Sequence, residues 1–199
     1  ISAQLRRKLW GRLFFDGIEV VRPKDDGDHN TNLAAMQECL NLFRAGGRLF
    51  VFPEGTSTLG PRHLPLKSGA AKLALDHLAT GGELQIVPVG IHYESPWAFR
   101  SRVEIVVGSP VSTNLLWSLS PRARLKEMKH RMQRGLEAVG INVVSEDYQA
   151  MVQRLAKVAT STKNRSYFKT LKAFEQSIPK TILREWRTLE ADFANRPLL

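Results

Sequence analysis

Two adjacent-glycine pairs, Gly46-Gly47 and Gly81-Gly82, constrain this chain more than any other feature. Each closes a stretch of helical character and precedes, after one residue, a short apolar run. Within Asn32–Ala45 the residues Leu33, Met36, Leu40 and Phe43 recur at three- and four-residue steps, with Thr31 as the expected cap. Lys67–Ala79 has the composition of a second helix. Paired glycines stop a helix because each gives up about 1 kcal/mol relative to alanine and enters the left-handed region freely. The runs that follow, Leu49-Phe50-Val51-Phe52 and Leu84–Ile91, therefore read as separate buried strands.

Ile18-Glu19-Val20-Val21 precedes this pattern as a strand, and Val103–Val107 follows it as another. Pro121 opens a basic helix carrying Leu125, Met128, Met132 and Leu136 as far as Gly140. Strands alternating with helices predict an α/β fold with a central mixed, partly parallel sheet flanked by helices. From Ser145 onward only helical spacing occurs. Its stripes are Tyr148, Met151, Val152, Leu155; then Tyr167, Phe168, Leu171, Phe174, Ile178; then Ile182, Leu183, Trp186, Leu189, Phe193. The expected organisation is an α/β domain over residues 1–144 and a helical extension over 145–199 that packs on it.

A formal charge of +10 implies an anionic partner: a phosphorylated substrate, an acidic membrane surface or nucleic acid. Basic residues are spread over all segments and no nucleic-acid module is present, so specific nucleic-acid binding is not expected. No apolar run approaches the ~20 residues of a membrane-spanning helix. Residues 1–15 instead mix Leu5, Leu9, Trp10, Leu13, Phe14 and Phe15 with Arg6, Arg7, Lys8 and Arg12, which suits an anionic membrane interface. The single cysteine, Cys39, excludes an internal disulfide, and at mid-helix it is expected to be a small buried side chain. Together these place the chain on the cytoplasmic face of a membrane. His29 among Asp25, Asp26 and Asp28 is read as a solvated turn rather than a metal loop.

Chemistry concentrates after Phe52, where Pro53-Glu54-Gly55-Thr56-Ser57 leaves the predicted strand at its carboxyl end, the position at which α/β sheets hold ligands. Gly55 permits close backbone approach, Glu54 can orient a backbone group or a substrate hydroxyl, and Thr56 and Ser57 supply hydroxyls. A tight turn capped by a glutamate would use the same residues. Arg62 and Lys67 then approach the start of the next helix, and Arg22 follows the first strand. Fixed cations beside unpaired helix N–H groups make a phosphate pocket, although each cation alone would be an ordinary solvated charge.

These segments resemble the ordered blocks of the glycerolipid acyltransferases. Phe52-Pro53-Glu54-Gly55-Thr56 is similar to their F-P-E-G-T-R-S block, and Gly17-Ile18-Glu19-Val20-Val21-Arg22 to the block whose arginine helps hold the substrate phosphate. Leu66-Lys67-Ser68-Gly69 is similar to the lysine-glycine segment that follows, and Val87-Pro88-Val89-Gly90 to the later proline-containing strand.

The resemblance implies transfer of a fatty acyl group from acyl-CoA or acyl-carrier protein to a hydroxyl of lysophosphatidate, with glycerol 3-phosphate as the alternative acceptor. The latter is suggested by Gly90-Ile91-His92-Tyr93 and Phe99-Arg100-Ser101-Arg102. It implies no metal or organic cofactor, and substrate contacts from Arg22, Glu54, Gly55, Thr56, Ser57, Arg62 and Lys67.

Two departures stand out. Ser57 replaces the arginine of the F-P-E-G-T-R-S block, and none of His29, His63, His77, His92 or His130 has an aspartate five positions later, as the H-x-x-x-x-D pair requires. That pair is expected before Ile1. A non-catalytic lipid-binding or membrane-tethering relative is the competing reading.

Overall fold

The computed structural model describes residues 17–18, 30–56, 60–114, 117–161 and 165–178, with Ile182, Glu185 and Thr188. The basic segment 1–15, the His29 loop and most of the third C-terminal stripe lie outside the described residues, as do all but Ile18 of the first expected strand. The chain divides into two compact units: Ile1–Pro53 with Lys67–Leu84 and Leu115–Met128, and Glu54–Leu66 with Gln85–Asn114 and Lys129–Leu199.

The first unit contains helices α1 (Asn30–Arg44) and α2 (Ser68–Ala79), and the beginning of α3 (Pro121–Val139). Thr31 thus falls inside α1 rather than capping it. Ala35 and Cys39, one turn apart, are buried on α1, and burial pushes the Cys39 thiol up. Helix α2 buries Ala71, Ala74 and His77 at three-residue steps, and its small residues let α1 approach closely. Phe43 meets the His77 ring edge-on at 5.4 Å, and His77 Nε2–H donates to the Glu83 carbonyl at 3.2 Å.

The glycine pairs end the helices as expected, with Gly46 and Gly81 at φ of 74° and 78°. Gly82 must also be small, since a Cβ there would lie 2.3 Å from His77 Nε2. Leu49–Phe52 differs from expectation, since it forms no ladder among the described residues and Phe50 and Phe52 are 63% and 71% exposed. Their rings instead meet edge-to-face at 5.1 Å, as the i, i+2 spacing allows. A buried strand needs a neighbour for its backbone groups, and residues 19–21 of the one expected lie outside the described residues.

The second unit holds strands β1 (Val89–Tyr93) and β2 (Val103–Val107), paired antiparallel with His92 opposite Glu104, and an isolated antiparallel bridge between Ile86 and Val111. Helix and strand are thus combined, but the described sheet is two-stranded and antiparallel rather than central and partly parallel. The connection 94–102 is too short for the crossover that parallel neighbours need. The strand expected from Leu84 begins only at Val89 because Pro88 has no N–H for a ladder. The pleat turns Gly90, His92, Glu104 and Val106 inward and leaves Ile91, Tyr93, Val103, Ile105 and Val107 exposed.

Helices α4 (Glu146–Ser161) and α5 (Tyr167–Ser177) pack together in this unit around Val143, Tyr148, Met151, Val152, Ala156, Tyr167 and Leu171. The Tyr148 hydroxyl donates to the Ile178 carbonyl at 2.6 Å. No helix among the described residues is long and apolar enough to cross a membrane.

Candidate functional site

Gly55 adopts a φ of 73°, so the Pro-Glu-Gly turn uses the left-handed conformation for which glycine is suited. In the second unit the Glu54 carboxylate is held from two sides: His63 Nδ1–H donates to Oε1 at 2.8 Å and the Leu64 N–H donates to Oε2 at 3.2 Å. The His63 N–H donates to Asn142 Oδ1 at 2.8 Å, and the Asn142 N–H to Glu175 Oε1 at 3.0 Å. Lys172 pairs with Glu175 Oε2 at 2.7 Å and donates to the carbonyls of Glu137 and Gly140 at 3.0 and 2.9 Å. A chain of hydrogen bonds with carboxylates at both ends thus runs from the glutamate of the loop to α5.

A histidine bonded through Nδ1 to a carboxylate is the arrangement of an oriented general base. Here the other ring nitrogen has no access to a substrate. His63 Nε2 is buried without a hydrogen-bond partner, and a Cβ on Gly140 would sit 1.9 Å from it. The pair fixes the loop.

Arg62 is committed in the same way. Its Nε–H donates to the Val143 carbonyl at 3.0 Å and an Nη–H reaches the Val144 carbonyl at 3.5 Å, while the Val143 N–H returns to the Pro61 carbonyl at 2.8 Å. Thr56 is exposed beside Gly55, and Ser57 and Arg22 lie outside the described residues.

Lys67 belongs to the first unit, where it is the residue before α2, exposed, in extended conformation at φ −67° and ψ 157°. Its side chain does not cap the helix, and its N–H donates to the Pro53 carbonyl at 2.8 Å. Lys67 therefore stands at a helix start that its own side chain does not cap, and a helix amino end is an electrostatic setting for an anion.

His92 and Glu104 face inward from neighbouring strands and anchor α5. His92 Nε2–H donates to the Val139 carbonyl at 2.8 Å, and its ring lies 4.5 Å from that of Phe168. Burial lowers its pKa, helped by His63 and Lys172, against the opposing effects of the Val139 carbonyl and Glu104. Burial raises Glu104, but the Ser166 hydroxyl, the N–H groups of Phe168 and Tyr167, and Arg102 together outweigh it and leave the carboxyl below its ordinary value. The Phe168 N–H approaches at 3.1 Å, so Glu104 neutralises the amino end of α5.

Residues 8–92 match the Acyltransferase family. Glycerol-3-phosphate O-acyltransferase 2 of Saccharomyces cerevisiae is 27% identical over 140 residues, covering 67% of this chain, and glycerol-3-phosphate O-acyltransferase 1 of the same yeast is 32% identical over 126 residues, covering 57%. Over these segments the chain is similar to the glycerolipid acyltransferase superfamily. An uncharacterised acyltransferase of Schizosaccharomyces pombe is 44% identical over 69 residues, or 34% of the chain. The chain spans 10% of that relative, and 19% and 16% of the two S. cerevisiae proteins. No solved structure matches it.

The F-P-E-G-T block could be read from sequence, but its support could not. Asn142, Lys172, Glu175 and Gly140 lie roughly 80 to 110 residues beyond His63 and carry no motif, and Gly140 signalled only a helix stop. One signal was available: His63 lies on the same loop as Glu54, close enough for the two side chains to meet.

Proposed function

We propose that this chain forms the acceptor-binding part of an O-acyltransferase that moves a fatty acyl group from acyl-CoA or acyl-carrier protein to a hydroxyl of a phosphorylated glycerol acceptor. Lys67 is the observation that carries this reading: it lies in the Leu66–Gly69 block, and it stands exposed at the start of α2 with its N–H on the Pro53 carbonyl. Lys67, the first N–H groups of α2 and Arg22 hold the acceptor phosphate. Arg62 is withdrawn from the phosphate set because two backbone carbonyls occupy it.

The reaction needs a base. In this reading a histidine of an H-x-x-x-x-D pair, on the amino-terminal side of Ile1, takes the proton of the acceptor hydroxyl. The oxygen attacks the thioester carbonyl, backbone or side-chain donors stabilise the oxyanion, and the new C–O ester bond replaces the C–S bond as the thiol leaves. Phosphate binding serves positioning, which can account for several kcal/mol of the barrier. Glycerol 3-phosphate is the preferred acceptor, since two relatives are named for it. Lysophosphatidate is the second candidate. The reaction takes place at a membrane surface, for which the basic and aromatic composition of residues 1–15 is suited.

The test is to incubate the full-length protein with radiolabelled acyl-CoA and either acceptor, and to follow labelled lipid. Acylated glycerol phosphate is expected, together with an H-x-x-x-x-D pair whose alanine variant is inactive. The lipid-binding alternative rests on the absence of that spacing from all five histidines here. It prevails if the full-length protein binds glycerophospholipid but transfers no acyl group.

A further inference from the structure

The connection between β1 and β2 carries two of the most exposed aromatic side chains in the described residues, Trp97 at 86% and Phe99 at 94%. Such rings normally find cover. The loop around them is firmly built. The Ala98 N–H donates to the Ser95 carbonyl at 3.0 Å, the Ser101 N–H to the Ala98 carbonyl at 3.2 Å, and the Ser95 N–H to Ser101 Oγ at 2.8 Å. At the base, the Glu94 N–H donates to the Arg102 carbonyl at 3.0 Å, so the β1–β2 ladder continues into the tip.

Charge is arranged around the same aromatics. Arg100 lies 5.9 Å from the Phe99 ring centroid, Arg102 closes the tip, and Lys157 of α4 reaches Ser95 Oγ at 3.0 Å. Arg100 also has a φ of 63°, making it the non-glycine residue with left-handed backbone among those described. Glycine would occupy that position without steric penalty, so a cation held there against backbone preference points to use of its side chain. Tyr93, at the tip end of β1 and half exposed, adds a third aromatic.

We propose that the β1–β2 tip, through Trp97, Phe99 and Arg100, seats in the headgroup layer of an anionic membrane. Aromatic rings with one wet and one apolar environment prefer that layer, and neighbouring cations meet the negative lipid surface. A rigid tip inserts without the entropy loss of ordering a loop. The tip would hold the chain at the surface that supplies a lipid acceptor, and in that respect the inference builds on the acyltransferase reading. Vesicle binding requires no catalysis, so the two ideas fail separately.

The experiment is flotation of the 199-residue chain with vesicles of phosphatidylcholine, with and without phosphatidylglycerol. Arg100→Gly relieves the backbone and should remain folded, yet it should weaken binding about fivefold on anionic vesicles only. Trp97→Ala with Phe99→Ala should weaken binding more than tenfold on the same vesicles. Unchanged circular dichroism and melting would accompany both. Three results overturn the proposal. The paired variant could bind anionic vesicles as the wild type does. It could abolish self-association measured without lipid, which would make the tip a contact for a second copy. Or, in the full-length protein, the variants could keep vesicle binding while losing acyl transfer in detergent, which would assign the tip to a substrate site.

Discussion

His63 Nδ1 lies 2.8 Å from Glu54 Oε1, and this contact turns the glutamate of the family block into a fixed part of the second unit. The histidine is pressed against Gly140, with space for no additional atom. Gly140→Ala should therefore destabilise the protein by about 1–3 kcal/mol through overpacking. For a domain of this size that is a fall in Tm of about 2–4 °C per kcal/mol. Adding His63→Ala removes the clashing ring, so the second change should cost less in the alanine background than in the wild type. Thermal melts of the four proteins measure this coupling; strictly additive losses would show that the two residues do not press on each other.

Arg62 separates a structural from a substrate role. Its bonds to the Val143 and Val144 carbonyls predict that Arg62→Met lowers stability by about 1–2 kcal/mol, each bond being worth roughly 1 kcal/mol. Acceptor KM should stay unchanged. A raised acceptor KM with an unchanged Tm would return Arg62 to the phosphate site.

Acid should unfold the second unit in two windows. His92 has a folded pKa below its ordinary 6.5, so the unfolded chain takes up its proton first and stability falls as the pH drops below about 6.5. Glu104 has a folded pKa below its ordinary 4.5; its contribution is complete above that value and is lost as the pH falls through the folded pKa. Both effects have the same sign, with stability rising with pH. Denaturant midpoints measured from pH 7.5 to 3.5 should show both declines, and Glu104→Gln should flatten only the lower one. A midpoint independent of pH across the upper window would contradict the burial of neutral His92.

Helix positions were legible because glycine pairs, Pro121 and apolar spacing act locally: α1, α2 and α3 fall within two residues of expectation at both ends. Val103–Val107 was legible in full. Sheet pairing was not, because register and direction depend on which segments meet, and only the short 94–102 connection constrained β1 and β2 to run antiparallel. The apolar run Leu49–Phe52 differs for a related reason: hydrophobicity marks a segment that can be buried, and among the described residues this one leaves Phe50 and Phe52 exposed. At the candidate site, the motif pointed to Glu54, Gly55 and Lys67, whereas the hydrogen bonds of Arg62 depend on carbonyls some 80 residues away.

The phosphate assignment itself is tested most directly by steady-state kinetics of Lys67→Ala and Arg22→Ala in the full-length protein. A charge-assisted contact to phosphate is worth roughly 1.5–3 kcal/mol, so kcat/KM for glycerol 3-phosphate should fall about tenfold to hundredfold, with KM for the acyl thioester nearly unchanged. Unaltered acceptor kinetics in both variants, with the fold intact, would contradict it.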